Sequence, residues 1–147
     1  MIDVSAEIDI DAAPADIAGV MFDPQREREW IPVVSSVELI DAALKPGARV
    51  RRTAHVLGQD ITWTTEVEQV HFPHVLTLRI VEGPMTGTLR YDIQRSGTGT
   101  RVRVRANGDS PKLRFVPSAM IKGPAETAML QGLERLKALV VGPGQAR

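Results

Sequence analysis

Residues 75–105 read VLTLRIVEGPMTGTLRYDIQRSGTGTRVRVR: three runs of alternating apolar and polar side chains, divided by Gly83-Pro84 and by Ser96-Gly-Thr-Gly99. Period-two alternation punctuated by Gly and Pro is the pattern of antiparallel hairpins with one buried face. A loop at Gly83-Pro84 sets Leu78 opposite Leu89 and Leu76 opposite Tyr91. A loop centred on Gly97-Thr98 sets Tyr91 opposite Val104 and Ile93 opposite Val102. Both turns assign the same residues to the same face, and a one-residue slip in either would reverse that face. The other face agrees, since Asp92 then meets Arg103.

Working outward, the same logic extends to six strands after Trp30, expected at 33–41, 47–57, 60–71, 74–82, 85–95 and 100–108. A loop at Phe72-Pro73 sets Val67 opposite Leu78 and Thr65 opposite Ile80. A loop at Gly58-Gln59 sets Val56 opposite Ile61, Ala54 opposite Trp63, Arg52 opposite Thr65 and Val50 opposite Val67. On the polar face Arg51 would meet Glu66 and Arg49 would meet Glu68. Residues 2–10 alternate as strictly, with Asp3, Glu7 and Asp9 on the polar side. The last strand carries Arg101, Arg103 and Arg105, so pairing the first strand with the last sets opposite charges side by side.

Two short helices follow the first strand: one opens at Pro14, and Asp23-Pro24 starts a second that ends at Trp30-Ile31-Pro32. A long helix is expected after Pro111, with a stripe at Ile121, Ala125, Met129, Leu133, Leu136 and Val140. Gly123-Pro124 should kink it or divide it from a lead-in containing Pro117. The expected architecture is α+β, a seven-stranded antiparallel sheet whose apolar face is covered by the helices.

Composition bounds the function. The chain has 147 residues, suited to one domain, expected over 1–141 with a flexible tail at 142–147. Lys+Arg and Asp+Glu both number 18, so no excess of basic charge points to nucleic acid. Hydrophobic residues make up 43% of the chain, enough for a core, and aromatics only 4%, few for filling one. There is no cysteine, which excludes disulfides, thiolate chemistry and Cys-ligated metals. No apolar run approaches the roughly 18 residues of a membrane span, and the N-terminus lacks a signal-peptide pattern. A soluble cytoplasmic protein, monomer or homodimer, is the expectation.

Several features in their order along the chain point to a known family. They are Ile10-Asp-Ala-Ala-Pro14, the Asp23-Pro24 helix ending Trp30-Ile31-Pro32, and Gly47-Ala-Arg-Val-Arg-Arg52. The hairpin around Gly58, the turns Glu82-Gly-Pro-Met85 and Gly97-Thr-Gly-Thr-Arg101, and the helix ending Leu133-Glu-Arg-Leu-Lys137 complete the set. Over about residues 2–140 the chain resembles the START-like helix-grip superfamily, also called SRPBCC, in its polyketide cyclase/dehydrase branch. That resemblance implies a curved sheet gripping the C-terminal helix around an apolar cavity. Members bind lipids, sterols, hormones or polyketides; some are cyclases or dehydratases, some oxygenase domains, some co-chaperones.

Register parity names the residues facing that space: Val50, Arg52, Ala54, Trp63, Thr65, Val67, Leu78, Leu89 and Tyr91, with Met129 and Leu133 opposite on the helix. Small residues such as Gly87 and Gly132 would leave room. Arg52 is the oddity, because an unpaired guanidinium on an apolar face costs several kcal/mol. Two readings stand. Arg52 with Tyr91 could hold a carbonyl, enolate or carboxylate, or Arg52 could snorkel or pair with an acid of the helix layer such as Glu126 or Glu29. Trp63 could stack on a ring ligand or be core. His71 and His74 share the inward parity across a turn while His55 lies on the other face; with no acidic third ligand, no metal is expected. No Gly-rich phosphate loop and no Gly-x-Ser-x-Gly setting occurs, so no nucleotide cofactor or serine nucleophile is expected. The reading is a binder of a small hydrophobic or amphipathic molecule, lipid- or polyketide-like, without cofactor. The alternative is a polyketide cyclase/dehydratase-type enzyme working in the same cavity with Arg52 and Tyr91.

Overall fold

The structure, a computed structural model, describes residues 2–56, 58–111 and 118–142. Strand β1 (Ile2–Ile10) leads into helix α1 (Pro14–Met21), a 3₁₀ turn (Pro24–Arg26) and helix α2 (Glu27–Trp30). Then come β2 (Val34–Leu39), β3 (Arg49–Val56), β4 (Gln59–His71), β5 (Val75–Glu82), β6 (Thr86–Ser96), β7 (Gly99–Asp109) and helix α3 (Ser118–Val141). Pro14 opens α1 without wasting an amide hydrogen. Asp23 caps the 3₁₀ turn by accepting from the Gln25 amide at 2.9 Å.

The strands form one antiparallel sheet in the order β1-β7-β6-β5-β4-β3-β2. First and last strands pair as their charges require: Arg105 bonds Asp3 at 2.8 Å and Arg101 reaches Asp9 at 3.3 Å. The expected pairs Leu78–Leu89, Leu76–Tyr91, Tyr91–Val104 and Ile93–Val102 are all present. Asp92 stands opposite Arg103, although its carboxylate bonds Arg90 at 2.9 Å.

The β3–β4 hairpin differs. Val56 pairs with Gln59, so Ala54 faces Ile61, Arg52 faces Trp63 and Val50 faces Thr65. Gly58, at φ +77°, is the residue just before β4, so the hairpin closes one position earlier than a Gly58-Gln59 loop. The resulting two-residue slide leaves every side chain on its expected face. It re-pairs the charges: Arg49 lies 3.7 Å from Glu66, Arg51 reaches Glu38 at 3.3 Å, and Glu68 meets Arg79 at 3.4 Å. In β4–β5, Val67–Leu78 and Thr65–Ile80 pair as expected, but the register shifts on both sides of them. Such irregularities bend a strand. The one between Val67 and Gln69 also alters parity toward His71, so His71 and His74 are not both turned inward, and both are exposed. Thr64 is buried, yet it pairs with the exposed Arg51 of the polar face, so its burial involves no register error.

Helix α3 runs unbroken through Gly123-Pro124 from Ser118. Pro124 leaves the Met120 carbonyl without an intrahelical donor, which is tolerable at the exposed start of the helix, where Met120 is 67% exposed. The lead-in at 112–117 and the tail at 143–147 lie outside the described residues. The helix packs on β1, α1 and α2. Leu133 and Leu136 enter a core with Ile10, Ile17, Tyr91, Ile93 and Val102, while Met129 and Val140 pack at its edge. Among the described residues no helix is long and apolar enough to cross a membrane.

Candidate functional site

A cavity of about 390 Å³ lies between the sheet and α3. Its sheet side is Val4 of β1, Leu89 and Tyr91 of β6, and Val104 and Ala106 of β7. Its helix side is Ala125, Ala128, Met129 and Gly132, with Gln131 and Arg135 beside them. The segment Trp30-Ile-Pro-Val33, where α2 turns into β2, closes a third side. Helical spacing explains the α3 contribution, since 125, 128, 129 and 132 recur on one face. Three of these four are Ala or Gly, which keeps the helix from filling the space. Gly132 also lets the chain pass Trp30: a Cβ there would lie 3.3 Å from the Trp30 carbonyl oxygen.

Trp30, Tyr91 and Phe22 form an aromatic partition. Tyr91 lies edge-on to Trp30 at 5.8 Å between centroids and stacks on Phe22 at 6.3 Å. Tyr91 is buried, and desolvation first, then the nearby Glu27 carboxylate, push its phenol well above the usual value against the opposing pull of Arg52. Tyr91 is therefore a neutral hydroxyl throughout the physiological range. The Trp30 Nε1 is buried and has no hydrogen-bond partner among the described residues.

Behind the partition sits Arg52. Its Nε donates to Glu27 at 2.6 Å and its Nη1 to the Thr65 hydroxyl at 2.5 Å, and the Arg52 and Glu27 side chains are each only 6% exposed. Both charges are thus neutralised within the core. The space left there, between Arg52, Glu27, Tyr91, Leu78 and Phe22, is about 10 Å³, too small for an organic ligand. The acid is Glu27, not Glu29 or Glu126. Glu29 bonds Arg26 at 3.0 Å, and Glu126 accepts from the Ser5 amide at 2.9 Å, tying α3 to β1.

The expected lining residues accordingly separate. Leu89, Tyr91 and Met129 lie on the wall of the large cavity. Arg52 and Leu78 border the small remainder. Val50 and Val67 border it too, and also line an open groove of about 250 Å³ between α1 and the β2–β3 connection. Ala54 and Thr65 are buried and border none of these three spaces, and Leu133 is wholly core. Trp63 is half-buried beside Gly83, outside the core and away from the cavity wall. Gly87 does not enlarge the cavity: at φ +148° it allows close approach of β6 to the Asn107 carbonyl on β7. Parity already turned Val4 and Val104 to the apolar face without marking them as cavity wall; the wall residues it did not reveal are Trp30 to Val33, Ala106, Ala128, Gln131 and Arg135. The apolar exit Trp30-Ile-Pro-Val33 was the available signal.

Among the described residues no group of three or more His, Cys, Asp or Glu could hold a metal. His74 Nδ1 lies 2.8 Å from the Ile93 carbonyl oxygen and His55 pairs with Asp60 at 2.9 Å.

No curated protein matches the chain by sequence. Solved structures share its fold at low identity. The protein TTHA0849 from Thermus thermophilus superposes with a TM-score of 0.80 at 20% identity, covering 95% of this chain and 97% of that one. A START superfamily protein from Mycobacterium smegmatis gives 0.80 at 18% identity, covering 94% and 96%. Major latex-like protein 151 from Panax ginseng gives 0.73 at 13%, covering 95% and 97%. The model of the family described as polyketide cyclase/dehydrase and lipid transport matches residues 1–141, which is nearly the entire length. The chain belongs to that family, on the helix-grip fold built above.

Proposed function

We propose that the protein binds one small hydrophobic or amphipathic molecule, lipid- or polyketide-like, in the cavity between β6, β7 and α3. The observation that carries this reading is the cavity itself. At about 390 Å³ it falls within the roughly 300–1,000 Å³ of small-molecule sites. Its wall is predominantly apolar, and filling it would remove that surface from water.

Catalysis of the cyclase/dehydratase type finds less support. The strongest polar group on the inner face, Arg52, is spent on Glu27 and Thr65 and is walled off by Tyr91. A buried neutral phenol alone has one proton to donate and no base beside it free to take one, whereas acid–base work on a carbonyl substrate needs groups positioned to give and take protons.

Native mass spectrometry of freshly purified protein should find a co-purifying molecule. Titration with the neutral probe N-phenyl-1-naphthylamine should saturate at one site. Ala128→Trp places a large ring at the exposed rim of the cavity and should abolish binding without lowering the melting temperature. Probe binding unchanged in Ala128→Trp would place the probe elsewhere and remove the support for this reading.

A further inference from the structure

We propose that the occupant is an amphipathic anion, a hydrocarbon-bodied carboxylate with its head group on Arg135 at the mouth. The inference rests on the binding reading above and adds the ligand's chemistry and orientation. Among the described residues Arg135 is the only charged one on the cavity wall, and it is exposed. Among the described residues no ion pair or hydrogen bond engages its guanidinium. The helix supplies no partner: the residues one turn away are Gln131, Gly132, Ala138 and Leu139, none of them acidic. The adjacent Glu134 lines a different groove, with Asp9 and Asp11. Nor does the helix dipole account for a cation here, because Arg135 lies more than a turn before the end at Val141.

The arrangement is a polar end on an apolar chamber. Gln131 stands one turn before Arg135 and adds an amide donor at the same rim. From Arg135 the wall continues along α3 to Ala125, about 15 Å at the helical rise. Opposite lie Val4, Leu89, Val104 and Ala106. A carboxylate at the rim keeps its charge near water while meeting a bidentate donor. A second charge carried inward would meet apolar surface and at most the neutral donors of Tyr91 and Trp30, with no opposite charge to offset its desolvation.

The test compares decanoate with decanol, which share a hydrocarbon body, by displacement of N-phenyl-1-naphthylamine. Decanoate should bind about three- to tenfold more tightly in dilute buffer. That advantage should vanish at about 1 M salt, where the screening length falls to roughly 3 Å, and in Arg135→Gln, with decanol unchanged throughout. Arg135→Glu should make decanoate the weaker ligand. Melting temperatures of both variants should match wild type, since the side chain is solvated. Equal affinities in wild type, or a preference for decanoate that survives Arg135→Gln, would overturn the assignment while leaving the cavity as a binding site. If neither compound nor the probe bound, the binding reading itself would fall.

Discussion

At position 52 a guanidinium sits inside a protein core because position 27 supplies the matching carboxylate. The sequence allowed Arg52 to be read as an anion receptor or as a structural cation, and the 2.6 Å contact with Glu27 favours the latter. Removing one partner strands the other, so Arg52→Leu should destabilise by about 3–5 kcal/mol. Arg52→Leu with Glu27→Leu should recover most of that loss, and probe affinity should hold in both, because neither residue lines the large cavity. Denaturant unfolding of the double-mutant cycle measures the coupling; full additivity would contradict the pairing. Tyr91, the chain's only tyrosine, gives a pH prediction from the same neighbourhood. Its folded phenol titrates above the ordinary value of 10.0, so above that value the unfolded chain has released a proton that the native chain keeps. The native state then binds more protons, and stability must fall as pH rises past about 10. Tyrosinate absorbance should appear only together with loss of native circular dichroism. A phenol titrating near its ordinary value in folded protein would show that it is not buried.

At the scale of elements, strand faces were legible and pairings only partly so. Alternation fixes the side on which Leu78, Tyr91 and Val104 project, and four independent turns agreed on it. What alternation cannot fix is which residue of a turn takes positive φ, and Gly58 in the position just before β4 slid β3–β4 by two. Nor does it announce the irregularities flanking Thr65 and Val67, where the pattern of side chains still reads as a strand. Glu27 was hidden differently. The run from Gln25 to Glu29 looks solvated throughout, and four residues of helix are too few for periodicity to single out the one that turns inward. Two substitutions probe these elements. Gly87→Ala forces a Cβ against the Asn107 carbonyl at φ +148° and should cost about 1–3 kcal/mol, read as a lower denaturant midpoint. Pro124→Ala restores a donor to the Met120 carbonyl and should raise stability by up to about 3 kcal/mol. A neutral result there would mean the first turns of α3 add little to the fold.

Across the whole molecule, the concave face is divided rather than shared. Parity could say which residues face inward but not which end of the sheet stays unfilled; that depends on where α2 and the aromatic partition settle. Trp30 and Phe22 clamp Tyr91 so that the β3 end fills around the Arg52–Glu27 pair, and the free volume remains on the α3 side. The groove of about 250 Å³ beyond Phe22 is separated from the larger cavity only by this cluster and the small remainder behind it. Ligand size should therefore be limited by Tyr91. Tyr91→Ala should cost about 3–5 kcal/mol, the range for truncating a buried aromatic. It should also join the two spaces, so that an alkyl chain too long for the wild-type cavity gains affinity while decanoate, seated on the α3 side, does not. Competition between short and long carboxylates on wild type and Tyr91→Ala measures this directly. An unchanged length preference in a variant that still folds would mean that the limit is set at the far wall, by Val4 and Ala125, and not by the partition.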